Sequence, residues 1–129
     1  MGTSEGSMSA FHAARMAPLV ARRVILTASV FQPSPNGPGL STARWEQLAA
    51  PLLWVHHVDD PCRFTAYRDA RDFASRSGRP LVSVRGGDVG TGNPCEARTA
   101  HGFVGVERET VLAMRSWIRT GTVPADVGR

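Results

Sequence analysis

The sequence contains no lysine, only two cysteines and no long apolar run. All 15 of its basic residues are arginines, spread singly or in pairs, so no nucleic-acid-binding patch is expected despite a net charge of +4. Two cysteines are too few for a scaffold built on disulfides, and these two lie too far apart for a zinc ribbon. No stretch of about 18 apolar residues is present, so no membrane span is expected.

The 129 residues, 42% of them hydrophobic, fit one globular domain spanning residues 1–129. Three apolar, β-branched runs lack the alternation of half-exposed strands, which predicts strands covered on both faces. Helical patterns separate these runs, so the sequence predicts an α/β fold with a parallel sheet layered between helices. The predicted strands are 23–30, 51–57 and 80–85, and the predicted helices are 4–17, 43–50, 65–77 and 107–120.

The stretch Gly2-Thr3-Ser4-Glu5-Gly6 has the pattern G-x-S-x-G. This pattern is typical of a nucleophile elbow, in which a serine lies on a strained turn between a strand and a helix. Only Met1 precedes the motif, so we expect the strand that normally leads into an elbow to be absent.

Two further functional groups follow predicted strands. Asp59 and Asp60 come after strand 51–57, and His101 lies on the loop after strand 80–85. Functional groups of parallel sheets gather beyond the carboxyl ends of the strands, so we expect these side chains and Ser4 to lie near one another. Their chain order, serine, acid and histidine, is that of α/β-hydrolases.

A resemblance to a known protein family covers residues 2 to about 118. It is carried by the segments GTSEG, RVILTASV, PLLWVHHVDDP and AHGF. In these segments the chain resembles the C-terminal half of an α/β-hydrolase of the serine esterase or lipase type. The resemblance implies a partial α/β-hydrolase fold lacking the N-terminal strands, and therefore a truncated chain of low or no activity alone. An alternative is a non-catalytic remnant that acts as a structural or interaction fragment, with self-association through an open sheet edge.

The resemblance also implies roles for individual residues. Ser4 would be the nucleophile, His101 the general base, and Asp60 the acid that orients the imidazole. Asp60 is favoured over Asp59 because HHVDDP superposes on the His-Gly-x-x-Asp-Pro segment of such hydrolases, although His57 stands where a glycine is usual; Asp59 remains the alternative.

A small-molecule ester or related acyl compound is the substrate class that the resemblance implies, with no cofactor and no metal. The backbone N–H of Glu5 would be one oxyanion donor, and no residue can be assigned as the second. Residues 31–42 occupy the usual place of a lid insertion, and residues 122–129 form a tail. The expected pocket residues are Phe31, Leu40, Trp45 and Phe103.

Cys62 and Cys95 leave two alternatives open. If the triad assembles, both lie on neighbouring loops, and a disulfide there would indicate an exported enzyme. Two buried free thiols in a cytoplasmic protein are the other interpretation. A third, weaker functional hypothesis is a metal site in the segment from His56 to Cys62, although adjacent strand residues point to opposite faces.

Overall fold

The computed structural model describes residues 1–129 and contains a five-stranded, entirely parallel sheet in the order β1-β2-β3-β4-β5. The predicted α/β fold with a parallel sheet is therefore confirmed. The strands are β1 (Gly2–Thr3), β2 (Val24–Thr27), β3 (Leu52–His57), β4 (Leu81–Arg85) and β5 (Asp126–Gly128), and the helices are α1 (Glu5–Met16), α2 (Tyr67–Ser77) and α3 (Glu107–Thr120). None of these helices is long and apolar enough to cross a membrane.

The sheet separates two hydrophobic cores. The first core joins α1 and α2 to one face of the sheet, around Phe11, Trp54 and Phe73. The second joins α3 to the opposite face, where Val82 and Trp117 are buried. Successive strand residues point to opposite faces, so β2 and β3 contribute alternate side chains to both cores. Their continuous apolar character follows from this coverage on both sides.

A short strand precedes Ser4, contrary to expectation. In β1, Gly2 lies opposite Leu26 and Thr3 opposite Thr27 in parallel register with β2. The Thr27 hydroxyl donates a hydrogen bond of 2.7 Å to the Thr3 hydroxyl and adds a side-chain link. Two residues are too short a run to show periodicity in a sequence, but they are long enough to fix the direction in which the chain enters the turn.

Several boundaries differ from the sequence prediction. Strand β2 ends at Thr27, whereas the predicted strand extends to residue 30, because Ala28 adopts a positive φ of 41°. The helix expected over 43–50 is a single 3-10 turn at Trp45–Gln47. The expected tail contains β5, whose Val127 lies opposite Val84 of β4. By contrast, α3 has the predicted bounds and ends at Gly121, which has the left-handed conformation that favours glycine.

Candidate active site

Ser4 lies at the turn between β1 and α1 with φ 51° and ψ −125°. A non-glycine residue rarely adopts a positive φ, and such strain persists only where surrounding contacts impose it. The Ser4 N–H donates to the Thr27 carbonyl at 3.0 Å, and the Ser4 carbonyl accepts from the Ser7 N–H at 2.9 Å. These bonds anchor the turn to β2 on one side and to the first turn of α1 on the other.

The turn also depends on close packing at Gly2. A Cβ atom added there would overlap the Gly6 carbonyl oxygen and crowd the Ala10 side chain. At Gly6, by contrast, an added Cβ would meet nothing within 4 Å. The two glycines of the motif therefore have different roles: Gly2 permits the close approach of β1 to α1, whereas Gly6 is simply an exposed residue of the helix.

Ser4, His101 and Asp60 form a continuous chain of hydrogen bonds. The Ser4 Oγ lies 3.0 Å from His101 Nε2, and His101 Nδ1 lies 3.0 Å from Asp60 Oδ2 and 3.2 Å from Oδ1. A carboxylate only accepts hydrogen bonds, so the imidazole proton resides on Nδ1. Nε2 is then left to accept the serine hydroxyl proton. The side chains of His101 and Asp60 are 4% and 0% exposed, which shields the pair from water.

Asp60 is held by two further donors from its own loop. The Cys62 N–H donates to Oδ1 at 2.9 Å, and the Thr65 hydroxyl donates to Oδ2 at 2.8 Å. Asp59, the alternative acid, is exposed, and its backbone N–H donates to His57 Nδ1 at 3.1 Å. Of the two aspartates, Asp60 is therefore the one that contacts His101.

A disulfide links the acid loop to the histidine loop. Cys62 and Cys95 are bonded, with their Cα atoms 4.6 Å apart, and no cysteine is free. The alternative of two free thiols is therefore wrong for this structure. Since Cys62 also donates its N–H to Asp60, the bridge acts on the segment that holds the carboxylate.

His57 provides a second link between neighbouring loops. Its Nδ1 accepts from the Asp59 N–H, so its proton resides on Nε2, which donates to the Gly86 carbonyl at 2.8 Å. The imidazole thus joins the turn after β3 to the start of the loop after β4. A glycine at this position could make neither bond.

His56 lies on the opposite face of β3 and is fully buried. Its Nε2 accepts a hydrogen bond of 3.0 Å from the Ser29 N–H. Desolvation by burial lowers the pKa of His56 to about 3, and the nearby Asp60 carboxylate only partly opposes this effect. His56 is therefore neutral at physiological pH. No group of three or more His, Cys, Asp or Glu side chains is arranged to hold a metal ion, so the geometry gives the metal-site hypothesis no support.

Three of the four expected pocket residues are buried, and Trp45 is half-buried. Phe31 and Leu40 are buried in the first core, and Trp45 packs against that core. Phe103 belongs to the second core. Phe31, Leu40 and Phe103 thus contribute to the two cores, and the expectation that the four residues line a substrate pocket stays a prediction.

A groove lies beside the turn that follows Ser4. Its volume is about 540 Å³, and it separates the N-terminal half of α1 from the loop expected at the lid position. Glu5, the first residue of α1, borders it, and the N–H of such a residue has no carbonyl partner within the helix. The groove is lined by Glu5, Gly6, Met8, Ser9, His12, Asn36, Gly37 and Pro38.

Comparisons of the chain with protein-family models, curated proteins and solved structures find no match.

Sequence reasoning missed the supporting residues around Asp60 and His101. The sequence predicts Thr65 at the start of the helix that follows, and its separation of five residues from Asp60 is the only signal that could have drawn attention to it. His57 stands where the resemblance implies a glycine, and nothing in the sequence indicates its two hydrogen bonds. Hydrogen bonds made by a single side chain leave no periodic signal, so they become visible only in three dimensions.

Proposed function

We propose that the chain is a serine hydrolase of the α/β-hydrolase type, acting on a carboxylic ester or a related acyl compound. The observation that carries this proposal is the hydrogen-bond chain from Ser4 through His101 to Asp60. The strained conformation of Ser4 supports it, because strain at a serine between a strand and a helix is typical of nucleophile elbows. A serine–histidine pair oriented by a third group is also the general signature of an activated nucleophile.

The mechanism that this geometry suits is two-step acyl transfer. The Ser4 Oγ attacks the substrate carbonyl carbon while His101 Nε2 takes the hydroxyl proton, and that proton then passes to the departing alcohol. Water next attacks the acyl-enzyme, with His101 again as the base, and the acid is released as Ser4 regains its proton. Asp60 keeps the imidazole proton on Nδ1 and stabilises the imidazolium that forms at each step.

The negative charge that develops on the carbonyl oxygen needs N–H donors. The Glu5 amide, at the N-terminus of α1, is the donor that we assign to this role. One such donor contributes about 3 kcal/mol to transition-state stabilisation in serine hydrolases. The fold itself does not define the acyl group or the alcohol, since the same architecture supports many chemistries.

A fluorophosphonate probe tests this proposal directly, because it labels only an activated serine. We expect covalent labelling at Ser4, detected by intact mass and peptide mapping, and its loss in Ser4→Ala and His101→Ala. Ser9→Ala is a matched control, because Ser9 is an exposed serine of the next turn of α1. Hydrolysis of p-nitrophenyl acetate should follow the same pattern. Folded protein that does not label would contradict the proposal and favour a non-catalytic remnant.

A further inference from the structure

The hydroxyl of Thr65 lies beside the buried acid and histidine of the candidate site. Thr65 is in the loop between β3 and α2 and is 0% exposed. Its Oγ1 is 2.8 Å from Asp60 Oδ2, 3.2 Å from His101 Nδ1 and 3.4 Å from the Cys62 carbonyl oxygen. No other side-chain hydroxyl forms a hydrogen bond with Asp60.

The positions of the available protons determine how these atoms interact. Asp60 can only accept, and His101 Nδ1 already carries a proton that faces the carboxylate. The single Thr65 hydroxyl proton is therefore directed to Asp60 Oδ2, its closest partner, while a lone pair on Oγ1 faces the Nδ1–H group. The imidazole N–H of His101 thus faces oxygen atoms of both Asp60 and Thr65. Asp60 Oδ2 in turn accepts hydrogen bonds from both His101 and Thr65.

We propose that Thr65 is a positioning residue that holds the Asp60 carboxylate in the orientation in which it bonds His101 Nδ1. This inference rests on the proposed function, because its catalytic effect passes through Asp60 and His101. Without the hydroxyl, Asp60 would keep the Cys62 N–H on Oδ1 but would lose the other donor from its own loop, which leaves only His101 Nδ1 on Oδ2. The carboxylate could then rotate and leave the imidazole less well oriented.

Two features suit threonine to this role. Its branched Cβ restricts rotation about χ1, so the hydroxyl is held in place at a small entropic cost. A hydrogen bond to an ionised group is stronger than one between neutral groups, particularly where water is excluded. Serine keeps the hydroxyl without the methyl group, whereas valine keeps the shape without the hydroxyl. These two substitutions therefore separate the contribution of the hydrogen bond from that of packing.

The first experiment measures the second-order rate of fluorophosphonate labelling of Ser4 in four proteins. We expect Thr65→Val to slow labelling by about 10- to 100-fold, the range for loss of a hydrogen bond to a charged group. Thr65→Ser should remain within about threefold of the wild type, since it keeps that bond. Thr110→Val is the matched control, because Thr110 is also buried but its hydroxyl bonds only the Val106 carbonyl within α3.

An Asp60→Asn background distinguishes positioning from a general effect on folding. If Thr65 acts through Asp60, then Thr65→Val should change the residual labelling rate by less than about threefold in that background, because coupled residues are not additive. An equal loss in both backgrounds, or wild-type labelling in Thr65→Val, would overturn the inference.

A second measurement keeps this inference separate from the proposed function. The hydrogen-bonded Nδ1 proton of His101 should give a proton resonance far downfield of the amides, identified in ¹⁵N-histidine-labelled protein and absent in Asp60→Asn. We expect Thr65→Val to shift or broaden this resonance and Thr65→Ser to restore it. If Ser4 does not label, the proposed function fails while the resonance still tests Thr65. An unchanged resonance in Thr65→Val would overturn the positioning role.

Discussion

Gly2 and Gly6 occupy equivalent places in the G-x-S-x-G pattern but have unequal roles in the fold. A Cβ on Gly2 would overlap the Gly6 carbonyl, whereas a Cβ on Gly6 would be free of contacts. We therefore expect Gly2→Ala to lower the free energy of unfolding by at least about 2 kcal/mol, through overpacking. The same change should abolish most fluorophosphonate labelling, because it displaces the turn that holds Ser4.

Gly6→Ala is the matched control for that prediction. Alanine is the better helix former, so we expect this substitution to leave labelling intact and to raise the free energy of unfolding by up to about 1 kcal/mol. Urea denaturation of both variants checks the stability changes. Equal destabilisation by the two substitutions would contradict the assignment of Gly2 alone as the site of close packing.

His56 makes stability depend on pH. Its pKa is lowered to about 3 in the folded protein by burial, whereas an unfolded histidine titrates near about 6.5. Between these values the unfolded state binds the additional proton, so the stability contribution of His56 is present above about pH 6.5 and is lost as the pH falls. From about pH 7 to about pH 5 this loss amounts to about 2 kcal/mol.

His56→Gln removes the titrating group and keeps an acceptor for the Ser29 N–H. We expect its free energy of unfolding to fall about 2 kcal/mol less than that of the wild type between about pH 7 and about pH 5. His12→Gln, on the exposed surface of α1, should follow the wild type. Parallel pH profiles of wild type and His56→Gln in urea denaturation would show that His56 does not contribute.

At the scale of single residues, the sequence predicted the identity of the groups that meet and not what holds them. Asp60 and His101 each follow a predicted strand, and Ser4 lies in the G-x-S-x-G motif, so that motif and the rule for parallel sheets were enough to bring the three together. Thr65 bonds Asp60 within its own loop, and His57 bonds the Gly86 carbonyl at the start of the next loop. Such pairings depend on loop conformation, which composition and periodicity do not encode.

Among the structural elements, the loops after β3 and β4 are joined by the bridge between Cys62 and Cys95. With a sequence separation of 33 residues, loop-closure entropy makes its removal cost about 4 kcal/mol. We expect Cys62→Ala/Cys95→Ala to lose about this much stability in urea denaturation. Labelling of Ser4 should also slow, since the bridge holds the segment that carries Asp60 to the loop that carries His101.

Reduction of the wild-type protein provides the control for that double variant. Reduced and alkylated protein should show the same loss of stability and of labelling, and intact mass should detect no free thiol before reduction. A double variant that matches the oxidised wild type in both respects would show that the bridge neither stabilises the fold nor orders the two loops.

The elements that the sequence predicted well are the long ones. The bounds of α3 agree with the pattern, and β3 differs from the predicted strand by one residue at its start. The two strands that were missed, β1 and β5, contain two and three residues. Their existence depends on pairing with β2 and β4 rather than on local preference, because tertiary contacts determine the conformation of so short a segment.

The whole molecule should unfold as one unit, because its two cores share strands. In β3, Trp54 points to the first core and Val55 to the second, so loss of either layer exposes one side of the same strand. We therefore expect a single cooperative transition. The fluorescence of Trp54 and that of Trp117 report on opposite faces of the sheet. Trp45→Phe/Trp117→Phe leaves only Trp54, and Trp45→Phe/Trp54→Phe leaves only Trp117.

Within each of these variants, the fluorescence transition should coincide with the far-ultraviolet circular dichroism transition of the same protein, as two-state unfolding requires. The comparison within one protein removes the effect of the substitutions on overall stability. If the Trp117 signal changed at a lower denaturant concentration than the circular dichroism, α3 would separate before the sheet unfolds. The second core would then be an independent layer. Strands β2 and β3, which both cores share, would not couple the two faces of the sheet.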